Sequence, residues 1–399
     1  MSIQNTNTAA AQRQPSQVMY WRPKQISRKW LTFSMLVSLF GMMLVESLPR
    51  KIAPEHSETL KAASLKANEA FRLIGTARKE QGHKVIEKLD PQASHLIGPS
   101  MSMVTSKLGS LESKQTSINP NFSAVVVQWL RDAGVKPGDK VAIGASGSWP
   151  ALNIAVYSAC ETMQLRPTIV LSAASSQYGA NSPDMMWLDM ERLLNEAKIF
   201  SFRAEAVSRG GLYDQASGMT EQTKQLLFEA GDRNGVPRLS GDTLRDSIRE
   251  RMVIYDHNES SATYAAYINV GGGSASIGGS TGHELWPGGL YSEMPESDEI
   301  PDCVATRMLS KGIPLINVGN VKSVAKRYAM PIAPITLPRV GEGNVYSQGV
   351  YRTWLVAFVL ALSWITMTIT VAPERSLRFV QKLRGHNHPR IPEQVEWMV

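Results

Sequence analysis

Cysteine is nearly missing from this chain: 399 residues hold two, Cys160 and Cys303. That excludes a scaffold built on disulfides. No C-x-x-C pair and no His/Cys cluster occurs, which argues against a structural zinc site, and no metal or cofactor is expected. No GK[ST] occurs either, so a P-loop is excluded. Acids are absent from the first 45 residues, where Arg13, Arg22, Lys24, Arg28 and Lys29 stand alone. Charge of either sign is also absent from two strongly apolar runs near the ends, the sixteen residues Trp30 to Val45 and the nineteen from Trp354 to Ala372.

Those two runs organise the rest. A membrane-spanning helix needs roughly 17–25 predominantly apolar residues. The second run meets that, and the first does so only with help from flanking residues such as Leu48. Lys and Arg near span ends stay cytoplasmic. The basic residues before the first run, with Arg375, Arg378, Lys382, Arg384 and Arg390 after the second, put both termini inside and residues 47–350 outside. Nothing like an A-x-A cleavage site follows the first run, which continues Glu46-Ser-Leu-Pro49, so it reads as an anchor rather than a removed signal.

The formal charge of +7 would suggest a polyanion partner if it were spread evenly. It is not. Residues 1–45 carry +5 and residues 351–399 carry +3, leaving the segment between them close to neutral. The basic excess belongs to the flanks, where it serves topology and anionic headgroups, and no nucleic-acid partner is expected. Both cysteines fall in the external segment. A disulfide is permitted there, and two buried thiols explain the same facts.

Residues 1–28 are polar and of low complexity, and read as a cytoplasmic tail ahead of a span at 29–48. A membrane-proximal helical segment is expected over 49–97, where Leu60, Ala63, Ala67, Ala70, Phe71 and Ile74 keep helical spacing. Over 98–330 strands alternate with helices. Lys140–Gly144, Arg166–Ser172, Tyr264–Val270 and Ile313–Val318 read as strands. Helices are expected at Asn121–Ala133, Ala151–Gln164, Asp184–Lys198, Thr220–Asp232, Asp242–Asp256, Asp302–Ser310 and Val321–Tyr328. The alternation predicts an α/β fold with a mostly parallel sheet covered by helices on both faces. Residues 331–350, rich in Pro and Gly, read as an extended linker, 351–372 as the second span, and 373–399 as a basic cytoplasmic tail.

Sites in open α/β sheets form outside the carboxyl ends of the strands. Here those ends read GASGSWP at 144–150, SAASSQYGANSP at 172–183 and NVGGGSASIGGSTG at 269–282. Small residues let backbone N–H groups approach a ligand closely. Candidate ligand-binding residues are therefore Gly144, Gly147, Ser148, Ser175, Ser176, Gly271, Gly272, Gly273 and Ser274. Ser146 stands in a near match to G-x-S-x-G, with Ser148 in place of the last glycine. It is the candidate nucleophile, with the Gly147 N–H as an oxyanion donor. The bland alternative is a tight turn whose serines cap the next helix. His283 is the best-placed base and His257 the next, while His83 and His95 read as solvated or packed. GGGSASIGG at 271–279 lacks the spacing of a dinucleotide loop and an immediately following helix. Asp184, Asp189 and Glu191 read as a helix N-terminus favouring negative charge. Glu112, Lys114 and Thr116 lie in a polar loop that reads as solvated.

Taken together, LGSLESKQTSINPNF at 108–122, VAIGASGSWPALNIAV at 141–156, WLDMERLL at 187–194, YINVGGGSASIG at 267–278 and GIPLINVGNVKSVAKRYAMP at 312–331 form a recognisable set. With them the chain resembles the poly-γ-glutamate system protein family over residues 30–372. The resemblance implies a bacterial inner-membrane protein working beside the poly-γ-glutamate synthesis and export machinery, with the polymer or its synthase subunits as partners. It supplies no reaction. Two roles stay open: an accessory factor that binds polymer or synthase, and a serine-dependent amide hydrolase or transferase that trims, releases or attaches polymer. A bare scaffold would leave the strand-end glycine loops unexplained.

Overall fold

A computed structural model describes residues 27–257 and 263–371; the two expected tails fall almost wholly outside them. The chain divides into two compact units, one formed by the flanks and one by residues 52–348. In the flank unit, Arg28–Ser47 and Thr353–Val371 are helices long and apolar enough to cross a membrane. They run antiparallel. Ser34 Oγ lies 3.3 Å from Thr366 Oγ1, and Ser38 Oγ donates to Ser363 Oγ at 3.2 Å. Gly41 sits against Val359, whose methyl group a Cβ would strike. Small residues and hydroxyl pairs are how helices pack in lipid, where apolar burial gives no net drive. Phe40, Met43 and Trp364 face outward, fully two-thirds exposed or more.

The larger unit is built on six strands: β1 Lys140–Ser146, β2 Arg166–Ser172, β3 Ala206–Ser208, β4 Ala266–Val270, β5 Gly289–Tyr291 and β6 Leu315–Val318. Their order across the sheet is β5-β6-β4-β1-β2-β3, and only β5 runs antiparallel to its neighbour. The chain leaves β1 in one direction through β2 and β3, then returns to β1's other edge as β4. The topological switch point thus lies between β1 and β4, where α/β sheets open a crevice.

Alternation along the strands explains why both faces are covered. Val141, Ile143, Ala145, Ile169 and Leu171 point into one core, with the helices Ser57–Glu80, Phe122–Asp132 and Pro150–Thr162. Ala142, Val170 and Tyr267 point into the other, with Leu244–His257 and Val304–Ser310. Each fully buried Leu, Ile, Val or Phe contributes about 1.5–3 kcal/mol of burial. Pro150 opens its helix where a missing N–H costs nothing. Asn153 Nδ2 then donates to the Ser146 carbonyl at 2.9 Å, pinning the helix to the end of β1.

Several expectations are corrected. The segment 49–97 is not separate: Leu60, Phe71 and Ile74 of helix Ser57–Glu80 are buried in the first core. Residues 331–350 are not a free linker. Asn121 Nδ2 donates to the Arg339 carbonyl at 2.8 Å, and Tyr346 OH donates to Asn121 Oδ1 at 2.8 Å and lies 2.7 Å from Ser64 Oγ. The helix expected from Asp184 begins at Trp187, because Met185–Met186 pair as a strand with Asn181–Ser182. The cysteines are free and buried, one in each core on opposite faces of the sheet, so no disulfide joins them.

Candidate functional site

A cleft of about 580 Å³ opens at the switch point. Ser146 ends β1, Ser172 ends β2 beside it, and Gly271 follows β4 on the other side. Gly271 has φ +99°, and a Cβ there would lie 2.6 Å from Ser146 Oγ. At Gly272 a Cβ would lie 2.5 Å from His283 Nε2 and 3.5 Å from Lys107 Nζ. Glycine at 271 is demanded by its φ and by Ser146, and at 272 it leaves room for the His283 ring.

The expected glycine-rich loop is in part helical. Ser274–Ile277 and Gly279–Leu285 form two short helices joined at Gly278, φ +85°, and the second brings His283 back to the cleft. A helix therefore does follow the glycines at once, contrary to expectation, although the G-x-G-x-x-G spacing is still lacking.

Lys114 forms the floor. Residues 111–117 are a helix rather than a solvated loop, capped by Ser110 Oγ accepting from the Ser113 N–H at 3.3 Å. That turn buries Lys114 to 2% exposure. Its Nζ lies 4.0 Å from the centroid of the Trp149 ring, and donates to the Ser148 carbonyl and to Ser176 Oγ, the latter at 2.9 Å. Burial, with Lys107 adding repulsion, pushes its pKa down to about 7. Of its neighbours in sequence, Glu112 points away to Lys322 (2.7 Å) and Thr116 donates to the Glu112 carbonyl.

Among the described residues, the titratable groups lining the cleft are Lys107, Lys114 and His283, with no carboxylate. Lys107 is exposed at the mouth. His283 makes no hydrogen bond among the described residues, and burial together with Lys107 holds its pKa below the ordinary value. Nine serines also line the cleft, so it is rich in hydroxyls as well as basic. One wall, the loop carrying Gly211, Leu212 and Ser217, is held from behind by a buried network. Arg251 Nη2 donates to Asp214 Oδ2 (2.8 Å), Ser208 Oγ (2.7 Å) and Ser172 Oγ (3.1 Å).

Of the residues expected from sequence, Ser146, Ser148, Ser176, Gly272, Gly273, Ser274 and His283 line the cleft. Gly144, Gly147, Ser175 and Gly271 lie behind its lining. Gly144 makes room for the Tyr267 hydroxyl, and Ser175 Oγ donates to the Gly147 carbonyl at 3.0 Å. The expected Ser146–His283 pair is not formed: no hydrogen bond joins them. Ser146 Oγ instead accepts the Ser148 N–H at 3.4 Å. Its backbone is not in the positive-φ region, so the turn lacks the strain of a nucleophile elbow.

Of the acids expected at a helix N-terminus, Asp189 is there, in the first turn of helix Trp187–Glu196, while Asp184 precedes the helix and Glu191 lies further along it. Asp189 accepts the Met186 N–H at 2.8 Å and pairs with Arg233, while Glu191 is buried beneath Tyr157, whose OH donates to it at 2.7 Å. Asp184 pairs with His83 at 3.1 Å. No cluster of three or more His, Cys, Asp and Glu able to hold a metal occurs among the described residues.

No family model matches the chain, and no curated protein matches it. A solved archaeal alanine:glyoxylate aminotransferase aligns at 11% identity over 90% of this chain and 70% of its own, with a TM-score of 0.15. At that score the alignment carries no argument about fold or function.

Proposed function

We propose that this chain is a two-span accessory protein of bacterial poly-γ-glutamate synthesis or export, its α/β unit facing the extracytoplasmic side and holding the polymer's carboxylates in the switch-point cleft. The observation that carries this reading is the cleft's lining: Lys107 at the mouth, hydroxyls from nine serines, and no carboxylate among the described residues, in a segment that is otherwise near neutral. A γ-linked glutamate chain presents one carboxylate per residue at regular spacing. Lys107 at the mouth offers such a carboxylate an exposed ammonium, a contact that salt screens. The serine hydroxyls serve as donors without adding charge. The two terminal helices and the family resemblance supply the setting.

The test is binding of labelled poly-γ-glutamate to the full chain in detergent, read by fluorescence anisotropy. Wild type is expected to bind with an affinity that falls as salt rises, and Lys107→Glu to weaken it by about tenfold or more, which is about 1.4 kcal/mol. Polymer that binds Lys107→Glu as well as wild type, or does not bind wild type at low salt, would remove the proposal.

A further inference from the structure

We infer that Ser176 and Lys114 form a nucleophile–base pair that performs acyl transfer at an amide carbonyl of the bound polymer. The inference rests on the cleft being the polymer's binding site. It differs from the Ser146 arrangement in having its base already in place.

Lys114 Nζ lies 2.9 Å from Ser176 Oγ, and its other acceptor is the neutral Ser148 carbonyl. A buried ammonium without a carboxylate is poised to give up its proton, and near neutrality a sizeable fraction of Lys114 does so. The other titratable groups in the cleft, Lys107 and His283, are both basic, so none of them stabilises the ammonium. Ser176 is held rigidly. Residues 175–176 pair as a short strand with Thr105–Lys107, and the Ser176 N–H donates to Ser148 Oγ at 3.0 Å. Its hydroxyl accepts from Lys114 and donates to no other group among the described residues, so once Lys114 is neutral the proton of Ser176 Oγ has one place to go. A nucleophile within hydrogen-bond reach of a base of matched pKa is the arrangement that hydroxyl nucleophiles require.

The steps balance without a co-reactant other than water or an amine. Neutral Lys114 takes the Ser176 proton as Oγ forms a bond to the amide carbonyl carbon. The C–N bond then breaks, and the departing amine takes the proton from the Lys114 ammonium, leaving an acyl ester on Ser176. Water, deprotonated by Lys114, attacks the ester, and Ser176 regains its proton as the acyl group leaves. An amine in place of water gives transfer instead of hydrolysis. Lys107, at the mouth, is placed to hold a carboxylate of the same chain.

The test uses the full chain in detergent, a fluorophosphonate that reacts with activated serines, and polymer of defined length. Labelling is expected at Ser176, with a rate that rises through about pH 7, survives Ser146→Ala and falls more than 100-fold in Lys114→Met. Wild type is expected to shorten the polymer, and Ser176→Ala to leave its length unchanged at polymer concentrations that saturate the cleft. Near-ultraviolet circular dichroism checks that both variants are folded. Label on another serine, label at Ser176 that ignores Lys114, or polymer of unchanged length with wild type would each overturn the inference, and intact polymer binding in those cases would leave the binding proposal standing. Failure of wild type to bind polymer would instead remove the binding proposal.

Discussion

Replacing Lys114 with Met should make the protein more stable, and by an amount that depends on pH. A fall from the ordinary 10.5 to about 7 corresponds to about 5 kcal/mol at about 1.36 kcal/mol per unit. Below pH 7 Lys114 is protonated in both folded and unfolded chains, and the folded state carries the whole cost of the buried charge. Between pH 7 and 10.5 the folded chain has released a proton that the unfolded chain keeps, so stability rises with pH. Above 10.5 both forms are neutral and the cost is gone. Met fills similar volume but abandons two acceptors, Ser148 O and Ser176 Oγ, at about 1 kcal/mol each. The net expectation at pH 6 is a gain of about 2–3 kcal/mol over wild type, reduced by about 3 kcal/mol at pH 9.5. Pulse proteolysis of the full chain in urea and detergent at the two pH values measures it. A Lys114→Met protein less stable than wild type at pH 6, or a difference that does not change with pH, would refute the reasoning.

Other outcomes follow from particular contacts. Glu191 is pushed up to about 7 by burial, so the folded chain keeps a proton that the unfolded chain loses between pH 4.5 and 7. The Glu191 contribution to wild-type stability should therefore fall as pH rises through that window, and Glu191→Gln should match wild type at pH 4.5 and exceed it by about 3 kcal/mol at pH 8 in the same assay. Arg251→Met leaves Asp214 buried without its cation and should cost about 3–5 kcal/mol. The double variant Arg251→Met/Asp214→Leu should cost less than the single one, as a denaturation double-mutant cycle would show. Gly271→Ala forces φ +99° on an alanine and its Cβ against Ser146 Oγ, so a loss of about 1–3 kcal/mol is expected in urea denaturation, together with weaker polymer binding in the anisotropy assay.

Hydrophobic patterning makes the sheet legible because β1 and β2 are buried on both faces. Runs such as Val141–Ile143 and Ile169–Leu171 have no polar residue to blur them. Strand ends are legible as glycine- and serine-rich segments, which place Ser146, Ser176 and the 271–274 loop at one site. The decisive residue is not legible in this way. Lys114 sits in a run of polar residues, and only the packing of its one turn, with Trp149 over the ammonium, takes it out of water. A lysine's type predicts exposure, and burial of this one is a tertiary fact. The helix Ser57–Glu80 is legible as a helix, but its place in the core depends on contacts with residues more than forty positions later. The two helices in the 274–285 segment are hidden because glycine and serine favour turns by composition, and left-handed Gly278 lets two short turns follow each other.

The placement of Cys160 and Cys303 carries a further consequence for how this protein can be watched. Each thiol is sealed in a different core, one on either side of a single sheet. Unmodified wild type thus carries two intrinsic timers. A brief pulse of a thiol reagent during unfolding, with the modified cysteine identified by mass, would clock the two faces separately. It would show whether the helices over one side peel away before those over the other, or whether both layers come apart together.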